Sequence, residues 1–196
     1  MKILNHLEEW LIALLMASAT VIVFVSVVHR YLSGYEIPYM QDWLLSLNLG
    51  WAQELTIILF VWMAKFGAAY GVRTGIHVGV DVLINRLNAR NRNYFIIFGL
   101  FAGATFTFII GSLGWKFVLE NGMQYQVLSW LGQDVSNLIE GPITPDLEWP
   151  TWMCYMALPL GSWLMSFRFM QVMVHFIKYK KLPRHDHAHV DGLEEE

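Results

Sequence analysis

One cysteine and a shortage of charge set the first limits on this 196-residue chain. Cys154 alone can form neither an internal disulfide nor a thiolate metal site, so packing is its expected role. Charged residues make up 15% of the sequence against 56% hydrophobic residues, and mean hydropathy is +0.42, outside the range of soluble globular domains. The formal net charge of −3 says little about a partner, the location of the charges says more, and no nucleic-acid partner is expected. No nucleophile stands beside a base and no glycine-rich phosphate loop occurs, which leaves an enzyme reading without residues to rest on. An internal repeat of the kind that relates transporter halves is also missing.

Long apolar runs are what the sequence does contain. A helix needs roughly 20 such residues to cross a bilayer, and Trp10 to Val28, Leu55 to Val72, Tyr94 to Phe117 and Trp152 to Val174 qualify. The first run is too long for a signal-peptide core and lacks a small-residue cleavage site after it, so it is read as a retained helix. Arg73, Arg86, Arg90 and Arg92 lie between runs two and three, and Lys178, Lys180, Lys181 and Arg184 follow run four. Cations in short loops mark the cytoplasmic side. The segment after run three instead carries Glu120, Asp134, Glu140, Asp146 and Glu148. The expected architecture is an all-α integral membrane protein with four transmembrane helices, at about 10–30, 51–72, 94–118 and 150–177, and both termini inside (N-in/C-in). These form one domain, 1–178, followed by a polar cytoplasmic tail, 179–196, expected to be disordered.

Glu54 and Lys65 share a face of the second helix, but at about 1.5 Å rise per residue they lie roughly 16 Å apart and cannot pair. A relay between them would need polar groups along the way, and only Thr56 is polar. Because no acidic residue falls inside runs one, three or four, Lys65 and Arg168 are both expected to lack a carboxylate in their own chain. After Gly75, Ile76, Val80, Leu83, Ile84 and Leu87 face one way and His77, Asp81, Asn85 and Asn88 the other, the pattern of an interfacial amphipathic helix between helices two and three. Arg86, Arg90 and Arg92 at its end would meet anionic headgroups.

His77 and Asp81, four apart, form half of a metal site without a third ligand, and read better as a hydrogen-bonded pair pinning the turn. His6, His29, His77 and His175 raise the alternative of a membrane anchor for a haem or quinone complex, yet none sits mid-span, so no cofactor is expected. His185, His187 and His189 could hold a metal ion weakly, but in the polar tail a solvated stretch is the favoured reading. Gly99 and Gly103 form a G-x-x-x-G pair suited to close helix contact, and Pro159 predicts a kink. From Pro38, aromatic and apolar residues recur every fourth position through Tyr39, Trp43, Leu47 and Trp51, predicting a short outer-face helix.

The stretch WAQEL followed by FVWMAKFGAAYGVRTGIHVGVDVL resembles the small membrane subunit, DctQ type, of tripartite ATP-independent periplasmic (TRAP) transporters. In that family a Trp-x-x-Glu opening of helix two, a Gly-Ala-Ala patch and an Arg-x-Gly-x-His turn with a following Asp recur together. Here they fall on Trp51 and Glu54, on Gly67, Ala68 and Ala69, and on Arg73, Gly75, His77 and Asp81. The long outer segments, Gly34 to Gly50 and Glu120 to Pro150, resemble the variants found with C4-dicarboxylate systems. The resemblance implies a non-transporting scaffold in the bacterial inner membrane. Its partners would be a large, sodium-coupled, elevator-type membrane subunit (DctM type), a periplasmic solute-binding protein (DctP type) and membrane lipids. Trp51, Glu54, Lys65, Arg73, His77, Asp81 and Arg168 are then the expected subunit interface, and Trp43, Trp130 and Trp149 the expected docking residues for the binding protein.

Overall fold

The structure, a computed structural model, describes residues 2–35, 40–75 and 89–180. Among them the chain is helical: α1 (Lys2–Leu32), α2 (Gln41–Ser46), α3 (Gly50–Thr74), α4 (Ala89–Val118), α5 (Gln124–Trp130), α6 (Thr151–Tyr155) and α7 (Ala157–Tyr179). Three helical stretches, His6–Leu32, Gly50–Thr74 and Asn91–Trp130, are long and apolar enough to cross a membrane. The expected interfacial helix of 76–88, with His77 and Asp81, and the tail from 181 onward lie outside the described residues.

Several boundaries differ from the sequence expectation. Helix α1 starts about two turns before the apolar run at Trp10, because helix formation follows backbone propensity and not hydropathy, and Glu8 and Glu9 are good helix formers. The outer-face helix is only Gln41–Ser46, since Leu47 turns to extended backbone and Trp51 belongs to α3. The every-fourth-residue repeat therefore runs across a break. Helix α4 passes into a wide turn at Leu119–Met123, broken at Asn121 and Gly122, before α5 resumes. Gly122 takes φ +104°, and the neighbouring Gly141 takes φ +80°. The two glycines lie backbone against backbone, so a side chain on either would strike the other turn. The kink expected from Pro159 is a break at Met156: proline has no N–H to offer the Tyr155 carbonyl, and α6 stops there before α7 begins.

The long helices lie in a row, α1, α3, α7, α4, with α7 packed along both α3 and α4 and α1 along α3. An antiparallel register joins α4 to α7. Ile96 packs on Phe176, Gly103 receives the Phe169 ring, Gly111 the Trp163 indole and Gly114 the side chain of Leu158. Gly103 thus serves a contact within the chain, whereas a Cβ added at Gly99, its G-x-x-x-G mate, would meet no other side chain or helix within 4 Å. Ser166 adds a hydroxyl donated to the Ala104 carbonyl at 2.8 Å. Being central, α7 buries Ser162, Ser166 and Arg168 against other helices, which lets it carry more polar groups than a lipid-facing span. For the same reason its composition falls short of the apolarity of the other three.

Candidate functional site

At the end of the row where α1 begins, four charged side chains converge from three helices. Arg168, 1% exposed on α7, donates its Nε to Glu8 Oε1 of α1 at 3.0 Å, and its Nη2 lies 2.7 Å from the same oxygen. Its Nη1 donates to Gln171 Oε1 at 2.7 Å. Arg73, from the last turn of α3, donates to Glu9 Oε1, stands 3.7 Å from Glu8 Oε2 and lies over the Tyr70 ring. Two guanidinium groups thus meet two carboxylates with no net charge left over, the arrangement that makes burial of ions tolerable.

This overturns the expectation that Arg168 lacks a carboxylate in its own chain. The error came from treating Glu8 and Glu9 as outside the first span. They continue the same helix, and the antiparallel approach of α1 brings Glu8 to the depth of Arg168. A Glu-Glu pair immediately before an apolar run, in a chain with one arginine at the end of the second span and another inside the last, was the available signal.

At the opposite end the chemistry is different. Glu54, near the start of α3, accepts the backbone amides of Asp146 at 2.7 Å and Leu147 at 3.3 Å through Oε2. The loop it holds is braced further by the Thr144 amide to the Trp149 carbonyl (2.8 Å), the Trp149 amide to Thr144 Oγ1 (3.0 Å) and Thr151 Oγ1 to the Pro142 carbonyl (3.0 Å). On the α1 side, the His29 ring bonds the Leu44 carbonyl at 2.8 Å and the Gln41 amide group donates to the Ser33 carbonyl at 3.1 Å, tying α2 to α1. From this braced end project Trp43, Trp130 and Trp149, which are 59%, 86% and 43% exposed.

Lys65 lies between the two ends. Its stem runs against Gly161 of α7, where an added Cβ would stand 2.5 Å from the lysine's own. The side chain is half-buried, and no ion pair reaches it among the described residues. The face carrying Glu54 and Lys65 is thus turned toward the outer loop and α7, while Gln53, Ile57, Phe60, Val61, Ala64 and Ala68 form the exposed stripe of α3. Trp51 is 38% exposed at the head of the same helix. Among the described residues no group of three or more His, Cys, Asp or Glu is placed to hold a metal ion.

Residues 19–178 match the family described as tripartite ATP-independent periplasmic transporters, DctQ component. The chain belongs to the DctQ family. It is therefore a transport component and not an enzyme. A C4-dicarboxylate TRAP transporter small permease protein DctQ from Rhodobacter capsulatus is 50% identical across the whole of this chain and 87% of the relative. The Vibrio cholerae protein of the same description is 32% identical over 86% of this chain and 70% of its own length. The Pseudomonas aeruginosa one is 38% identical over 42% of this chain and 47% of its own. No solved structure matches the chain. Family membership and three membrane-capable helices make this DctQ protein a multi-pass membrane protein.

Proposed function

We propose that this DctQ protein is the small, non-transporting scaffold subunit of a sodium-coupled TRAP transporter for C4-dicarboxylates in a bacterial inner membrane. Its large partner would be a DctM-type, elevator-moving subunit, and a DctP-type periplasmic protein would deliver the substrate. The substrate class follows the Rhodobacter capsulatus and Vibrio cholerae relatives, C4-dicarboxylate TRAP transporter small permease proteins that align over most of the chain. Helix α7 is the fourth span in this reading, with the acid-rich loop outside and both termini in the cytoplasm, as the distribution of cations favours.

A scaffold needs a fixed body and a surface for another chain. The interlocked charges of Glu8, Glu9, Arg73 and Arg168 supply the first. Lys65 supports the second and is the observation that carries the proposal: its stem lies against Gly161 of α7, but its ammonium meets no carboxylate among the described residues, a state that is costly in lipid and is relieved by an acceptor on a neighbouring subunit. With Trp51, and with His77 and Asp81 after α3, it forms the proposed contact with the large subunit. Trp43, Trp130 and Trp149 are the proposed docking residues for the binding protein, on the strength of their exposure at the braced end.

Co-purification tests the contact. Lys65→Ala is expected to fold as the wild type does but to recover much less of the large subunit; equal recovery and equal uptake would remove Lys65 from the interface.

A further inference from the structure

Where α4 begins and α7 ends, the contact of Ile96 with Phe176 fixes which residues are neighbours. Arg92 lies one turn beyond Ile96, and Lys178 and Lys180 follow Phe176, so three cations gather at one end of the helix pair. All three are exposed, and none has an ion-pair partner among the described residues. The carboxylates that α1 brings to this end of the row, Glu8 and Glu9, are already committed to Arg73 and Arg168. The two lysines lie near aromatic rings, with Lys180 Nζ 5.9 Å from the Phe176 ring centre and Lys178 Nζ 5.3 Å from that of Tyr179. Within a turn of these cations in sequence, Phe95 of α4 and Ile177 of α7 are exposed apolar side chains. A cationic patch continuous with an apolar flank matches a molecule that has an anionic head and hydrocarbon tails.

We propose that the joined ends of α4 and α7 bind anionic phospholipid, with Arg92, Lys178 and Lys180 holding the phosphodiester and Phe95 and Ile177 lying against the acyl chains. The site needs no second subunit, so its failure would leave the scaffold reading intact, and the failure of that reading would leave the lipid site.

The test is binding of fluorescent dioleoylphosphatidylglycerol to the full chain in a mild neutral detergent. Each cation removed should weaken binding about five-fold, so Arg92→Gln, Lys178→Gln and Lys180→Gln together should weaken it on the order of 100-fold. Labelled dioleoylphosphatidylcholine should bind wild type and variant equally weakly. The charge-keeping set Arg92→Lys, Lys178→Arg and Lys180→Arg should retain phosphatidylglycerol, and 1 M salt should release it from the wild type by screening, a readout independent of the variants' folding. Equal binding of the two lipids, displacement of phosphatidylglycerol by millimolar inorganic phosphate, or binding that ignores salt would overturn the proposal.

Discussion

At one end of the helix row, four charged side chains from three helices hold one another; at the other, a single carboxylate holds the backbone of a loop. The first device joins helix to helix through groups that are costly to bury alone, so it fixes which helices are neighbours and at what depth. The second leaves side chains free and orders the backbone, so the tryptophans around it are positioned without being buried. A membrane protein can thus be rigid at both ends for different reasons: one end locks three helices with paired charges, the other holds a loop backbone and keeps its aromatic surface for something else.

The largest expected effect breaks the first device. Arg168→Leu should leave buried Glu8 with only the 3.7 Å approach of Arg73 and destabilise the chain by about 3 kcal/mol, read from thermal or denaturant unfolding in detergent. Adding Glu8→Leu to it should recover most of that loss, because the orphaned charge goes with it. A double variant as unstable as the single one would show that the ion pair itself, and not the stranded charge, carries the effect.

Glu54→Gln gives a smaller and more local change. It should speed amide exchange at Asp146 and Leu147 several-fold while leaving α1 against α3, since a neutral amide oxygen accepts these hydrogen bonds less strongly than a carboxylate does. Unchanged exchange would mean that the Thr144 and Thr151 bonds suffice to hold the loop.

Smallest is a pH effect in the same outer segment. The Ser136 backbone amide, and then its hydroxyl, hold the Asp134 carboxyl below its usual 3.8. A lowered carboxyl pKa contributes order that is complete above the unfolded value and is lost as pH falls through the folded one. Protection of the Ser136 amide should therefore fade only in acid below the ordinary aspartate range, and Asp134→Asn should make it independent of pH there.

Much of this was legible in the sequence because hydrophobic runs and the Trp51 to Asp81 motif are local signals. The spans of α1, α3 and α4 and the DctQ membership followed from them. Depth between helices is not a local signal. Glu8 looked solvent-exposed because hydropathy ends at Trp10, yet helix geometry carries it inward to Arg168. Helix α7 was read from the sequence as a fourth span, yet it is less apolar than the three membrane-capable stretches, and it packs between α3 and α4. The loop bonds of Glu54 join residues about ninety positions apart, and no spacing rule reaches that far.

Uptake of labelled succinate into proteoliposomes tests the scaffold account most directly, comparing this chain alone with this chain plus its large membrane partner and the periplasmic binding protein under a sodium gradient. The account predicts no accumulation by the chain alone and sodium-dependent accumulation by the three together. Accumulation by the chain alone would contradict it.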